Sequence, residues 1–199
     1  SQTITIRARM VYSGPAFTPA LADLATHEIQ SMWSEPALNR KGYKIVFDIS
    51  ELDPSAPRPS PGSSTSCAYN FIEFRNLANA GDRSYYTGLG TQYGVFFTSD
   101  DIGHSTTSAH EFGHGLRLSH NPSNQIAAPV PGIMFARGTL VRPEFQWDPH
   151  AAPGDRGGTI NPIYRKVRAE DVDAVPLRML LDDSIDSECI GDGLLKSVR

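Results

Sequence analysis

The chain has 199 residues, 39% of them hydrophobic and 20% charged, a balance that suits one globular domain with a sizeable core. Its 18 Lys and Arg against 22 Asp and Glu leave a formal net charge of −4. With no basic block along the chain, nucleic acid and an anionic membrane are excluded as natural partners, and no apolar run is long enough to insert across a bilayer.

The chain opens at Ser1 without a signal peptide and runs at once into a strand-like stretch, which reads as a piece of a longer, processed polypeptide. From Thr3 to Tyr12 the residues alternate, with Ile4, Ile6, Ala8 and Met10 on one face and Thr3, Thr5, Arg7 and Arg9 on the other, so a half-buried strand is expected. Thr18-Pro19 has the form of an N-cap followed by Pro at the first helical position. The helix it opens should run to about Trp33, with Leu21, Leu24, Ala25, Ile29, Met32 and Trp33 on one face. Asn39 to Gly42 breaks it. Tyr43 to Ile49 is a second strand, and the Pro/Ser-rich stretch from Pro54 to Ser66 is an irregular surface loop. A third strand is expected over Cys67 to Phe74, a short fourth over Ser84 to Gly88 and a fifth over Gln92 to Thr98.

The next segment carries the chemistry: His110-Glu111-Phe112-Gly113-His114-Gly115-Leu116-Arg117-Leu118-Ser119-His120. On a helix, positions i and i+4 share a face, so His110 and His114 aim two imidazoles at one point. Glu111 sits roughly 100° further round, able to reach a water held at that point and take its proton. A catalytic zinc needs a third protein ligand and an open fourth position, and His120, past the end of the helix, is placed for a turn to swing it back. Thr106, Thr107 and Ser108 are the candidate N-caps, and Phe112, Leu116 and Leu118 seat the helix in a core. The competing reading is a buried helix whose histidines are satisfied by carbonyls.

After His120 the chain is rich in Pro and Gly as far as Pro162, a loop long enough to be functional or disordered. Val167 to Val175 reads as a closing helix, with Val167, Val172 and Val175 facing inward and Pro176 ending or kinking it. The tail from Asp182 is uninformative. Cys67 and Cys189 are the two cysteines, and spacing does not say whether they pair. His104, His27 and His150 are read as solvated, Asp100-Asp101 as a solvated turn without calcium, and no internal repeat is visible.

The pattern H-E-x-x-H-x-x-G-x-x-H followed by a methionine in a tight turn belongs to the metzincin zinc endopeptidases. The chain resembles that family through His110, Glu111, His114, His120 and Pro131-Gly132-Ile133-Met134. One position departs. Arg117 stands where the family has the Gly that ends the helix with positive φ, so the turn is expected to be reshaped, with Gly115 absorbing part of the bend. Should His120 be displaced by this, Glu144 or Glu170 are the substitute ligands. The resemblance implies an α+β fold: a twisted mixed sheet, an active-site helix and a C-terminal helix, in one catalytic domain over 1–199 with an upper part to about 120 and a lower part beyond. It implies Zn2+ as cofactor, Met134 as the apolar base of the site, and a peptide substrate pairing with the short strand near Tyr85 and Tyr86. Phe135 leaves no holder for the zinc-binding Tyr of some metzincins.

Taken together, the expected activity is hydrolysis of peptide bonds in a protein substrate by a monomeric zinc endopeptidase, with Glu111 as general base and then acid. Two rivals stand beside it: a zinc hydrolase of a non-peptide amide such as that of a cell wall, and a silent zinc module that docks on a partner. The segment Pro129 to Gly138 looks like the metallopeptidase toxin domains borne at the C-termini of bacterial VgrG spike proteins of type VI secretion. That resemblance implies a secreted or delivered effector acting in a target cell, some such domains in the periplasm.

Overall fold

A computed structural model describes residues 2–36, 39–40, 43–53, 57, 69–77, 79, 81–176, 187–190 and 193–198. Backbone alone is described at 2, 39–40, 43, 187–190 and 193–198. The fold is mixed α/β, a mostly parallel twisted sheet with helices packed against it.

The alternation at the N-terminus produces β1 (Gln2–Ser13), which buries Ile4, Ile6, Ala8 and Met10 and pairs along its length with β3 (Tyr43–Glu51) in parallel. Arg7 and Arg9 on the outer face both meet Asp48 of β3, at 2.7 and 3.0 Å, and Arg7 lies directly opposite it in the register. The other edge of β1 is shared. Its C-terminal half pairs in parallel with β4 (Tyr69–Arg75) and its N-terminal half takes β8 (Gly193–Val198) antiparallel. Beyond β4 lie β6 (Tyr93–Phe97), parallel, and at the edge the two-residue antiparallel β5 (Tyr85–Tyr86). The expected break at 39–42 contributes a short antiparallel strand, β2 (Asn39–Arg40), and the tail adds β7 (Ser187–Ile190) against β8, two features the sequence reading did not contain. The expected loop over Pro54 to Ser66 and the residues Cys67 and Ala68 fall outside the described residues but for Pro57, and so does any pairing of Cys67 with Cys189.

Helix α1 (Pro19–Ser34) starts as expected, with the Thr18 hydroxyl accepting the Leu21 N–H at 3.2 Å. It lays Ala22, Ala25, Ile29 and Trp33 on the sheet, whereas Leu24, assigned to that face by spacing, is exposed. The Trp33 ring packs 5.3 Å from Phe47 of the sheet and 6.0 Å from Phe112, so one side chain joins sheet, α1 and the motif helix α2 (Thr107–Gly115).

The closing helix is shorter than expected. Asp171 accepts the Arg168 N–H at 2.8 Å and starts α3 at Ala169, and Val175, extended ahead of Pro176, stops it after Ala174. Val167, Val172 and Val175 are nonetheless all buried in the main core with Ile133 and Met134. Between α2 and α3 the Pro/Gly-rich segment is ordered by turns and isolated bridges around a second small cluster of Phe135, Val141 and Ile160. Among the described residues no helix is long and apolar enough to cross a membrane.

Candidate metal centre

The site is built on α2, whose start is held from outside. Thr106, at the N-cap position, has φ 64° and makes no capping hydrogen bond, its hydroxyl donating instead to the Pro162 carbonyl at 2.6 Å. The expected local cap is therefore absent, and Glu28 of α1 replaces it: its Oε1 accepts the Ala109 N–H at 3.0 Å. A carboxylate at this position meets the unpaired N–H groups and positive pole of the first turn. Burial raises the Glu28 pKa, and the N–H groups of Ala109, Ser108 and Gly103 oppose that rise. The Trp33 indole N–H donates to the Ala109 carbonyl at 3.0 Å. Neither contact has a signature in the local sequence.

The end of α2 departs from expectation in an instructive way. Arg117 itself takes the left-handed conformation, φ 67°, while Gly115 is not among the positive-φ residues. The Leu118 N–H reaches back to Gly113 O and the Arg117 N–H to His114 O, both at 3.0 Å, which is a Schellman termination with Arg117 in the place usually taken by Gly. The turn thus keeps the shape a glycine would give it. Its side chain lies across Gly90, where a Cβ would stand 2.6 Å from Arg117 Cγ. Gly115 has a different task, since a Cβ there would meet the Tyr86 ring at 3.0 Å.

This turn brings His120 back over the helix. Its Nε2 lies 3.1 Å from His110 Nε2 and 3.1 Å from His114 Nε2, close to the roughly 3.3 Å that separates ligand nitrogens around a tetrahedral zinc with bonds of about 2.0 Å. His110 Nδ1 points at the Ile133 carbonyl at 2.6 Å and His114 Nδ1 at the Leu118 carbonyl at 2.8 Å. A carbonyl only accepts, so both Nδ1 atoms carry the proton and both Nε2 atoms present lone pairs. His120 has a single Nε2 proton to offer two such lone pairs, so at least one nitrogen faces another without a hydrogen between them. A cation at the centre satisfies all three. Burial lowers the pKa of each ring, that of His110 well below the ordinary value, which keeps the set neutral. Among the described residues these three histidines are the cluster whose ligand atoms lie close enough together to hold a metal ion. Glu144 and Glu170 are exposed and paired with Arg142 and Arg168, and neither belongs to it.

Glu111 is buried, with Oε1 4.0 Å from His110 Nε2. Burial pushes its carboxyl up to about 8, against the lowering effects of Arg165 and of the Tyr86 backbone N–H on strand β5. Beneath the helix, Met134 is 2% exposed and its sulfur fills the space where a Gly113 Cβ would lie, 2.4 Å from that position. The turn that presents Met134 closes by the Phe135 N–H to Gly132 O at 3.1 Å and also supplies the Ile133 carbonyl that orients His110. Phe135 is buried in the second cluster.

His104, His27 and His150 are exposed, as expected. Asp100 is not: it is 4% exposed, accepts the Ser84 N–H at 2.7 Å and pairs with Arg137 at 2.7 Å, so the reading of this acid as solvated is corrected. Arg165, which carried no signal in the sequence, is 2% exposed and lines the recess beside the histidines with Glu111, Asp100 and Arg137.

No protein-family model and no curated protein matches the chain. Among solved structures it is similar to that of myroilysin, with 20% identity and a TM-score of 0.35 over 64% of this chain and 54% of that one. It is also similar to a structure of a chaperone–substrate complex, with 16% identity and a TM-score of 0.41 over 91% of this chain and 35% of the other. The chain thus spans about half the length of the first and about a third of the second. Likenesses this distant carry no function across, and the chemistry rests on the side chains themselves.

Proposed function

We propose that the chain is a zinc-dependent peptidase in which His110, His114 and His120 hold the metal and Glu111 handles the proton. The observation that carries this reading is the convergence of three Nε2 lone-pair positions beside a buried carboxyl 4.0 Å away. Three neutral nitrogens with an open fourth position are the donor set of a catalytic zinc site. Bound there, zinc would polarise a peptide carbonyl and lower the pKa of the attacking water from 15.7 toward about 7.

The protein's own groups do the rest. Ile133 O and Leu118 O fix the two helical imidazoles with Nε2 inward, as outer hydrogen bonds do for metal-binding histidines. The charge of a bound cation would favour the ionised form of Glu111, which then removes the proton from water as it attacks and returns it to the departing amine. Tyr86 N–H steadies that carboxylate from the edge strand, whose outer side is the place for an extended peptide to pair. Met134 gives the histidines a dry floor. In this proposal the setting is a secreted or delivered polypeptide, a reading supported by the sequence of 129–138 alone.

The test is incubation of zinc-loaded protein with an unfolded protein substrate. Cleavage is expected, abolished by chelator and restored by zinc. Glu111→Ala should retain zinc and lose at least about 100-fold in kcat/KM. Near wild-type turnover by that variant would overturn the assignment, and digestion of cell-wall material without cleavage of any peptide would favour the amide-hydrolase alternative.

A further inference from the structure

The recess beside the histidines contains a charge that the proposed reaction leaves unused. Arg165 is almost wholly buried, yet among the described residues its guanidinium makes no hydrogen bond and no ion pair, and its Nε has no acceptor at all. Isolated buried charges are costly, and proteins keep them paired or keep them for a ligand. The acids nearby do not answer for it. Asp100 spends Oδ1 on Arg137 and Oδ2 on the Ser84 N–H. Glu111 attracts Arg165 through space without contacting it.

The position of Arg165 is also built, not incidental. The Pro162–Tyr164 turn that precedes it is capped by the Asn161 side chain and tied to the start of α2 by the Thr106 hydroxyl. Just after it, the Lys166 N–H binds the Pro131 carbonyl at 2.9 Å, anchoring the chain to the turn that carries Met134. Between these anchors Arg165 enters a recess of about 180 Å³, shared with His110, His120, Glu111, Arg137 and Arg83. Of the acids on its walls, Asp100 is already paired with Arg137, which leaves Glu111 as the remaining carboxylate near Arg165.

We propose that this recess is a carboxylate-binding subsite, with Arg165 as its principal ligand and Arg137 at its rim, so that the substrate presents a carboxylate close to the scissile bond. This deepens the peptidase reading and rests on it. A carboxylate accepts two parallel N–H bonds from one guanidinium, which would satisfy the orphaned Arg165 donors. Two sources present that group to a peptidase: an acidic side chain flanking the cleaved bond, or the free C-terminus of the substrate.

Internally quenched peptides in matched pairs separate the two sources, one arm exchanging Asp or Glu for Asn or Gln beside the cleaved bond, the other exchanging a free C-terminus for an amide. In one arm the neutral member is expected to lose at least about 10-fold in kcat/KM. That discrimination should collapse to within about 3-fold in Arg165→Met and survive in part in Arg165→Lys. Equal cleavage of both members in both arms, or discrimination untouched by Arg165→Met, would overturn the subsite.

Should no peptide be cleaved, the peptidase reading fails and the subsite is still tested by binding. On the order of tens of millimolar N-acetylaspartic acid amide or N-acetylglycine should raise the melting temperature of wild type but not of Arg165→Met, with N-acetylasparagine amide inert. No shift with either acid would refute it. Without ligand, Arg165→Met is expected to melt at or above wild type, because it removes an unpaired buried charge. A purely structural Arg165 would lower the melting temperature on replacement and leave selectivity intact.

Discussion

Arg117 holds a backbone conformation that side chains other than Gly and Asn avoid, φ 67°, at the point where the chain must turn to return His120. The strain is on the order of 1 kcal/mol, and it persists because the Leu118 and Arg117 N–H groups are both satisfied and the side chain rests on Gly90. Arg117→Gly is therefore expected to stay within about 1 kcal/mol of wild type with zinc bound, whereas Arg117→Val should cost about 1–2 kcal/mol in chemical denaturation and weaken zinc binding. Equal stability of the Val variant would show that the turn is not under this constraint. At Glu111 the carboxyl is raised from 4.5 to about 8 by burial. A folded pKa above the unfolded one gives stability that is complete below about pH 4.5 and is lost as pH rises through 8. Chelator-treated wild type should accordingly lose a few kcal/mol between pH 5 and 8 relative to Glu111→Gln, measured by thermal melting across that range. Parallel curves would place the Glu111 carboxyl in a wetter setting.

Helix α2 is only nine residues long, too short to be stable alone, so its precision comes from what grips it. Glu28 and Trp33 hold its first turn, Met134 sits under Gly113, and the Arg117 turn closes its end. Glu28→Ala removes the acceptor for the N–H groups of that turn and should cost about 2 kcal/mol, with a measurable fall in zinc affinity by competition with a chromophoric chelator. Unchanged affinity would show that α2 is positioned without it. Much at this scale was legible: the alternation of β1, the Thr18-Pro19 start of α1 and the i, i+4 pair of α2 are local patterns, and local patterns survive in the sequence. Glu28 was not legible, because a cap acceptor supplied across 81 positions leaves no spacing to read. The same holds for Asp100, which looked like half of a solvated acidic pair until the fold placed it against Arg137 and Ser84.

At the scale of the molecule, one core runs from β1 through α1 and α2 to the Met134 turn and α3, so the segment after His120 packs into the same interior as the sheet that precedes it. That is why a Pro/Gly-rich stretch can deliver Ile133 O and Arg165 to fixed places around the histidines. The extent of this stretch is legible in the sequence but its order is not, since its turns and bridges pair residues that share no periodicity. The return of β8 to β1 was equally hidden, because the strand completes an edge created by the rest of the sheet. The central claim is that this interior exists to hold one cation between three imidazoles, and anomalous diffraction at the zinc absorption edge from crystals grown with zinc tests it most directly. The expected map has a single strong peak about 2.0–2.1 Å from Nε2 of His110, His114 and His120, with Glu111 outside the coordination sphere. A map with no peak at that point, or one in which Glu111 or another side chain replaces a histidine as ligand, would contradict it.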